Sequence, residues 1–150
     1  MVGRSQLLEK LFDVYEKMKS DQNKKIQYNT ASSNDKEKVK LSHSMRKLLV
    51  LVYHKKQINQ RSIALEMSIS SQAVSEMMKK LETKGFVEKT NGLQNNENYI
   101  VLTPSGCERA IFYEERIKNH ADNLLSELSD EEIKTMYELL DKIIQTKFKD

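Results

Sequence analysis

The sequence predicts a mainly α, α+β fold, a set of amphipathic helices with one small β-hairpin among them. Three observations predict it. Apolar residues recur at spacings of three and four along most of the chain, the period of a helix with one buried face. Between positions 86 and 102 that period gives way to two runs of strand character around a polar tip, the pattern of a hairpin. Finally, with one Pro, four Gly, 38% hydrophobic and 31% charged residues, the composition favours a soluble helical protein over a β-sandwich or a disordered tail.

The N-terminal stretch carries Leu7, Leu8, Leu11, Phe12, Tyr15 and Met18 on one helical face, which needs a partner. From residue 20 to 40 the only large apolar residues are Ile26, Tyr28 and Val39, so this part reads as a polar connection that adds little core. Leu41-Ser42-His43-Ser44 offers a cap to a strongly apolar helix built on Met45, Leu48, Leu49, Leu51, Val52 and Tyr53. It ends near His54-Lys55-Lys56, where cations suit the helix dipole.

After a short extended approach through Ile58, residues 60–67 place Ile63, Ala64 and Met67 on one face, with Ala64 small where a second helix would cross. Ser68-Ile69-Ser70 breaks the period. Ile69 can fill the gap between helices, and Ser70 is placed to cap the next helix by accepting from its free N–H groups. In that helix Val74, Met77, Met78 and Leu81 face inward, while Ser71, Gln72, Ser75, Glu76, Lys79 and Lys80 occupy the other side. Two short helices joined by a tight turn result, and the rest of the chain is organised around them. An exposed face offering Ser and Gln, followed by Lys, is what reading base edges and phosphates in a major groove requires.

Gly85 ends the second helix, with a positive φ available at no steric cost. Residues 86–89 and 98–102 form the hairpin strands, and 90–97 its tip. Thr103 is placed as an N-cap with Pro104 in the first helical position. The following helix keeps an apolar line through Cys107, Ala110, Ile111, Ile117, Ala121, Leu124, Leu125 and Leu128, about six turns and more than a small domain needs to cover itself. Ser129 with Glu132 makes a capping box. The last helix then presents Ile133, Met136, Tyr137, Leu140, Ile143, Ile144 and Phe148. Both ends thus carry apolar faces without a partner in the middle of the chain, so they are expected to pack on each other and against a second copy.

At 150 residues the chain suits a single domain, 1–150. No stretch approaches the roughly 20 apolar residues of a membrane span, and the N-terminus lacks a signal-peptide apolar region, so no membrane partner and a cytoplasmic location are expected. A single Cys107 excludes an intrachain disulfide and multi-cysteine zinc motifs. Charge is uneven: residues 41–104 hold nine Lys/Arg against five Asp/Glu, whereas 105–150 hold seven against eleven. A basic middle and an acidic end fit a chain whose middle alone meets phosphate. No Gly-rich phosphate loop or nucleophile motif appears, which argues against an enzyme. His43, His54, His120 and Cys107 lie without a local pair at ligand spacing, so no metal or other cofactor is expected.

The ordered set formed by Ala64, the Ser68-Ile69-Ser70 turn, Val74, the run Leu81-Glu82-Thr83-Lys84-Gly85-Phe86-Val87 and the exit Leu102-Thr103-Pro104-Ser105-Gly106 resembles the MarR family of winged helix-turn-helix transcriptional regulators. With the flanking helices the likeness covers nearly the whole chain. It implies a winged helix-turn-helix DNA-binding part over 41–104 and dimerisation helices over 1–25 and 105–150. It further implies a homodimeric repressor that binds double-stranded DNA at a pseudo-palindrome and is released by a small organic effector. The expected DNA-binding residues are Ser70, Ser71, Gln72, Ser75, Glu76, Lys79 and Lys80 on the helix, with Asn95, Asn96 and Asn98 in the wing. Small, often aromatic acids bind such proteins where the dimer helices meet the winged part, and His43, Arg46, Tyr113 and His120 are the groups here that would orient one.

Three departures stand out. Glu76 replaces the Arg or neutral group common in the family, and Ser68 stands where Gly is usual. The wing lacks the family's Arg and supplies Asn91, Gln94, Asn95, Asn96 and Asn98 instead, which hydrogen-bond but add no charge. Two rival readings remain open: a metal- or thiol-responsive regulator on the same fold, and a helical dimeric interaction protein that no longer reads DNA.

Overall fold

The computed structural model describes residues 2–22, 41–91 and 98–147. They form α1 (Arg4–Gln22), α2 (His43–Lys55), β1 (Ile58–Asn59), α3 (Gln60–Met67), α4 (Ser71–Thr83), β2 (Val87–Asn91), β3 (Asn98–Leu102), α5 (Pro104–Leu124) and α6 (Asp130–Lys147). The polar connection of residues 20–40, the tip residues Asn95 and Asn96, and Phe148 fall wholly or mainly outside the described residues. The chain divides into two compact units, one spanning Leu41–Glu114 and one formed by Met1–Lys40 with Glu115–Asp150.

In the first unit, Ser42 caps α2 by accepting from the Met45 N–H at 3.2 Å. The helix buries Met45, Leu48, Leu49 and Val52 as its period requires, and His43 as well. Lys56, at φ 68°, then turns the chain out of the helix. The approach through Ile58 is a true edge strand: β1 pairs antiparallel with β3, Ile58 opposite Ile100 and Asn59 opposite Tyr99, giving a three-stranded sheet in the order β1-β3-β2. Two residues are too few to show a period, so the sequence reveals the extended backbone but not the pairing.

Asn59 caps α3, its Oδ1 accepting from the Ser62 N–H at 2.8 Å. Ser68 closes α3 in the left-handed region, at φ 55° and ψ 46°, where the family's usual Gly would sit without strain. Ile69 N–H reaches back to the Ala64 carbonyl at 3.1 Å. Ser70 then caps α4 by accepting from the Ala73 N–H at 3.1 Å. Ile63, Val74, Met78 and Leu81 are all fully buried and clamp the two helices together. Replacing Ser70 with alanine should cost about 1 kcal/mol, the usual worth of an N-cap, read as a lower urea midpoint with unchanged slope.

The hairpin pairs Val87 with Leu102 through to Asn91 with Asn98. Its strand starts at Val87, one residue later than the sequence suggests, because Phe86 is occupied otherwise: it is buried, and its carbonyl accepts from the Thr103 N–H at 3.1 Å. Gly85 precedes it at φ 77°. The Thr103 hydroxyl accepts from the Gly106 N–H at 3.0 Å and donates to the Gly85 carbonyl at 2.6 Å. One side chain therefore caps α5 and pins its start to the end of the helix-turn-helix.

In the second unit, α1 packs against α6 and the residues after Glu115, with Leu7, Leu8, Ala121, Leu125 and Ile133 as the buried cluster. α5 stops at Leu124, short of the apolar line drawn to Leu128, and a turn closes with Leu128 N–H on the Leu125 carbonyl. Leu124 is 68% exposed and Ile111 40% exposed, while their neighbours Leu125 and Ala110 are buried. Adjacent residues on a helix point about 100° apart, so only one of each apolar pair joins the buried line. The Ser129 capping box is complete: its N–H donates to Glu132 Oε1 at 3.0 Å and its hydroxyl accepts from the Glu132 N–H at 3.2 Å. These bonds hold the Glu132 carboxyl below its ordinary pKa.

Lys10 lies over the Tyr137 ring at 4.7 Å and bonds Asp141 at 2.9 Å. Burial alone would lower its pKa, but the Asp141 hydrogen bond and the charges of Tyr137 and Asp141 outweigh burial and leave it above 10.5. A cation whose folded pKa is raised contributes stability below its unfolded pKa and loses it as pH climbs through the folded value. Lys10→Met should therefore cost less than about 1 kcal/mol at neutral pH, Asp141 being partly exposed. The gap in melting temperature between wild type and variant should close above about pH 10.5; a gap constant from pH 8 to 11 would show that the charge contributes nothing.

Candidate nucleic-acid interface

The face of α4 opposite Val74, Met78 and Leu81 is the candidate site. Ser70, Ser71, Gln72, Glu76, Lys79 and Lys80 are exposed along it, and Ser75 is half-buried at its edge. Gln72, Ser75, Glu76 and Lys79 follow the three- and four-residue spacing of one helical stripe, because the core needs the other stripe and polar side chains are left with this one. Among the described residues neither Lys79 nor Lys80 makes an ion pair, and Glu76 does not pair with them, so these charges are available to a partner. Lys89 of β2 pairs instead with Glu82 of α4 at 3.6 Å, an exposed link between strand and helix.

A further residue enters here that sequence reasoning missed. Gln60, the first residue of α3, donates from Nε2 to Ser75 Oγ at 3.3 Å. The contact spans 15 residues between two helices. Nothing in the periodicity of either helix signals it.

In the wing, Asn98 is exposed at the start of β3, opposite Asn91. Of the four groups considered for an effector, Arg46 and Tyr113 meet, the guanidinium lying 5.8 Å from the ring centroid. Arg46 Nε is buried and has no hydrogen-bond partner among the described residues. His43 is buried one turn before Arg46 on α2, while His120 is exposed on the part of α5 that belongs to the other unit. His54 bonds Glu114, and Cys107 is half-buried. No group of three or more His, Cys, Asp or Glu among the described residues could hold a metal ion, and no described helix is long and apolar enough to cross a membrane.

Two capped helices around a tight turn, followed by a hairpin whose third strand comes from before them, define a winged helix-turn-helix protein. The MarR family model matches residues 41–96. An uncharacterised HTH-type transcriptional regulator of Bacillus subtilis, YdgJ, is 31% identical over 101 residues, which are 67% of this chain and 62% of that relative. The chain thus spans somewhat less than two thirds of the relative's length. Among solved structures, Streptococcus pneumoniae FabT in complex with DNA has a TM-score of 0.63 at 18% identity, covering 91% of this chain and 92% of that one. The S. aureus MepR–DNA complex has a TM-score of 0.62 at 23% identity, covering 71% and 78%. Residues 41–96 thus carry a MarR family domain, in a chain similar to an HTH-type transcriptional regulator.

Proposed function

We propose that this protein is a sequence-specific DNA-binding transcriptional repressor that works in the cytoplasm, occupies a pseudo-palindromic operator as a homodimer and is released by a small organic effector. The observation that carries the reading is α4 itself: a doubly anchored helix whose free face offers Ser71, Gln72, Ser75 and two lysines without ion pairs among the described residues. Phe12, Tyr15, Leu139 and Ile143 remain exposed on the terminal helices, an apolar surface suited to a second copy. Two-fold symmetry would then set the half-sites about one helical turn, roughly 10 bp, apart. Its relatives' DNA complexes support the same reading.

Gln72 can pair bidentately with adenine, and Lys79 reaches phosphate. Gln72→Ala should accordingly relax sequence preference. Lys79→Ala should weaken binding evenly across sequences and lower the salt slope by about one. Titration of selected and random duplexes at several salt concentrations tests both, and equal losses on specific and random DNA for both variants would refute the assigned roles. For the effector, Arg46 beside Tyr113 supplies a cation and a ring to a small aromatic acid. A ligand that favours a spacing of the two α4 helices unfit for successive grooves would weaken operator binding through a coupling of about 1–3 kcal/mol. Operator titration with each stabilising acid, on wild type and Arg46→Ala, tests that arm; unchanged operator affinity throughout would remove the effector from the reading.

A further inference from the structure

The Gln60–Ser75 contact has a chemical consequence at the DNA face, provided that α4 reads DNA as proposed above. A serine hydroxyl has one proton to donate and two lone pairs to accept with. In this structure the Gln60 amide donates to Ser75 Oγ, engaging one lone pair and leaving the proton and the second lone pair open. Ser75 sits on the same stripe as Gln72 and Lys79, half-buried, with its neighbour Glu76 exposed. Gln60 is itself half-buried, and its position is set by a well-made helix start, since Asn59 caps α3 at 2.8 Å. The donor is therefore held in place by the fold rather than by DNA.

We propose that Gln60 is a positioning residue that fixes the hydrogen-bond polarity of Ser75, so that Ser75 donates to a keto oxygen, guanine O6 or thymine O4, at one position of each half-site. In the major groove guanine and thymine present keto acceptors where adenine and cytosine present amino donors. A hydroxyl free to turn serves both sets equally. One with a lone pair already engaged discriminates between them, because facing an amino group it must accept with its last lone pair and leave its own proton without a partner. The specificity at that base pair thus comes partly from a residue on the neighbouring helix.

The experiment selects binding sites from duplexes randomised across the operator, using wild type, Ser75→Ala, Gln60→Ala and Gln60→Glu, each first shown to keep the wild-type helical signal. Preference is read as a ratio between bases, so that a uniform loss from added negative charge cancels. Wild type should favour G or T over A or C at one position per half-site by about 5- to 10-fold, in the range of one hydrogen bond. Ser75→Ala should erase that preference and leave the other positions alone. Gln60→Ala should reduce it to about 2-fold or less with Ser75 still in place. Gln60→Glu, whose carboxylate can only accept, receives the hydrogen bond of the Ser75 hydroxyl and should turn the preference toward A or C. A merely structural Gln60 would lower affinity everywhere without this inversion. If both Gln60 variants keep the wild-type keto preference, or Ser75→Ala alters no position, the polarity proposal is overturned while DNA reading by α4 stands. If wild type enriches no sequence, the proposed function falls and this inference with it.

Discussion

Gly106→Ala should destabilise the winged unit by about 3 kcal/mol, a large part of the 5–15 kcal/mol that holds a domain of this size folded. A Cβ at Gly106 would lie 2.0 Å from the Phe86 carbonyl oxygen and 2.9 Å from its carbon. Those are backbone atoms, which cannot turn aside as a side-chain tip does. Relief requires α5 to back away, and that stretches the Thr103 N–H bond to Phe86 and the Thr103 hydroxyl bond to Gly85. Each is worth about 1 kcal/mol, with further strain as Phe86, buried and covered by the Arg109 guanidinium at 5.6 Å, is displaced. The other two glycines among the described residues grade the effect. Gly85→Ala should cost about 1 kcal/mol for its φ of 77°, with nothing within 4 Å to clash. Gly3→Ala, whose nearest atom is Gln6 Oε1 at 4.0 Å, should change stability by less than about 0.5 kcal/mol. Urea unfolding of the three variants measures the order directly. A Gly106→Ala protein within 1 kcal/mol of wild type would mean that α5 does not approach Phe86 this closely.

Ile133→Ala should be equally damaging in the terminal-helix unit, at about 2–4 kcal/mol, because the side chain is 1% exposed and lies among Leu7, Leu8, Ala121 and Leu125. Removing 129–150 altogether takes away α6 with its capping box and should leave that cluster open to water, the helical signal reduced and, under the proposed homodimer, the protein monomeric. Folding and dimerisation can be separated by substituting on the outer face instead. Leu139 is 54% exposed and Ile143 46% exposed, one helical turn apart on α6. Leu139→Ser with Ile143→Ser should therefore leave the helical signal at 25 °C nearly unchanged. Under the proposed homodimer it should raise the dimer dissociation constant at least tenfold, since two large apolar groups per copy lose their burial. Light scattering across a dilution series reads the second effect and circular dichroism the first. An intact dimer after either the double substitution or the truncation would move the interface off the terminal helices.

Much of this molecule follows from local rules written in the sequence. The caps at Ser42, Ser70, Thr103 and Ser129 are side-chain contacts over three residues, so their partners are visible without a structure. The inward residues of α4 and the free face opposite them follow from a single period, which is why the set from Ser70 to Lys80 could be named at once. The same holds for the left-handed Gly85.

What the sequence could not carry is anything that depends on two distant backbones meeting. The pairing of Ile58 with Ile100, the approach of Gly106 to Phe86 and the bond from Gln60 to Ser75 each join separate elements, and none leaves a periodic trace. The choice between Ala110 and Ile111, or Leu124 and Leu125, is of the same kind. Both members of each pair are apolar, and only the phase of α5 against its neighbours decides which is buried. By itself the sequence determined the helices, their capped starts and the polar face of α4, because capping, turn and periodicity energies act within a few residues. Only the tertiary structure decided which glycine admits no side chain and which residue steers Ser75, because close packing and hydrogen-bond polarity are set by whatever part of the chain comes to lie alongside.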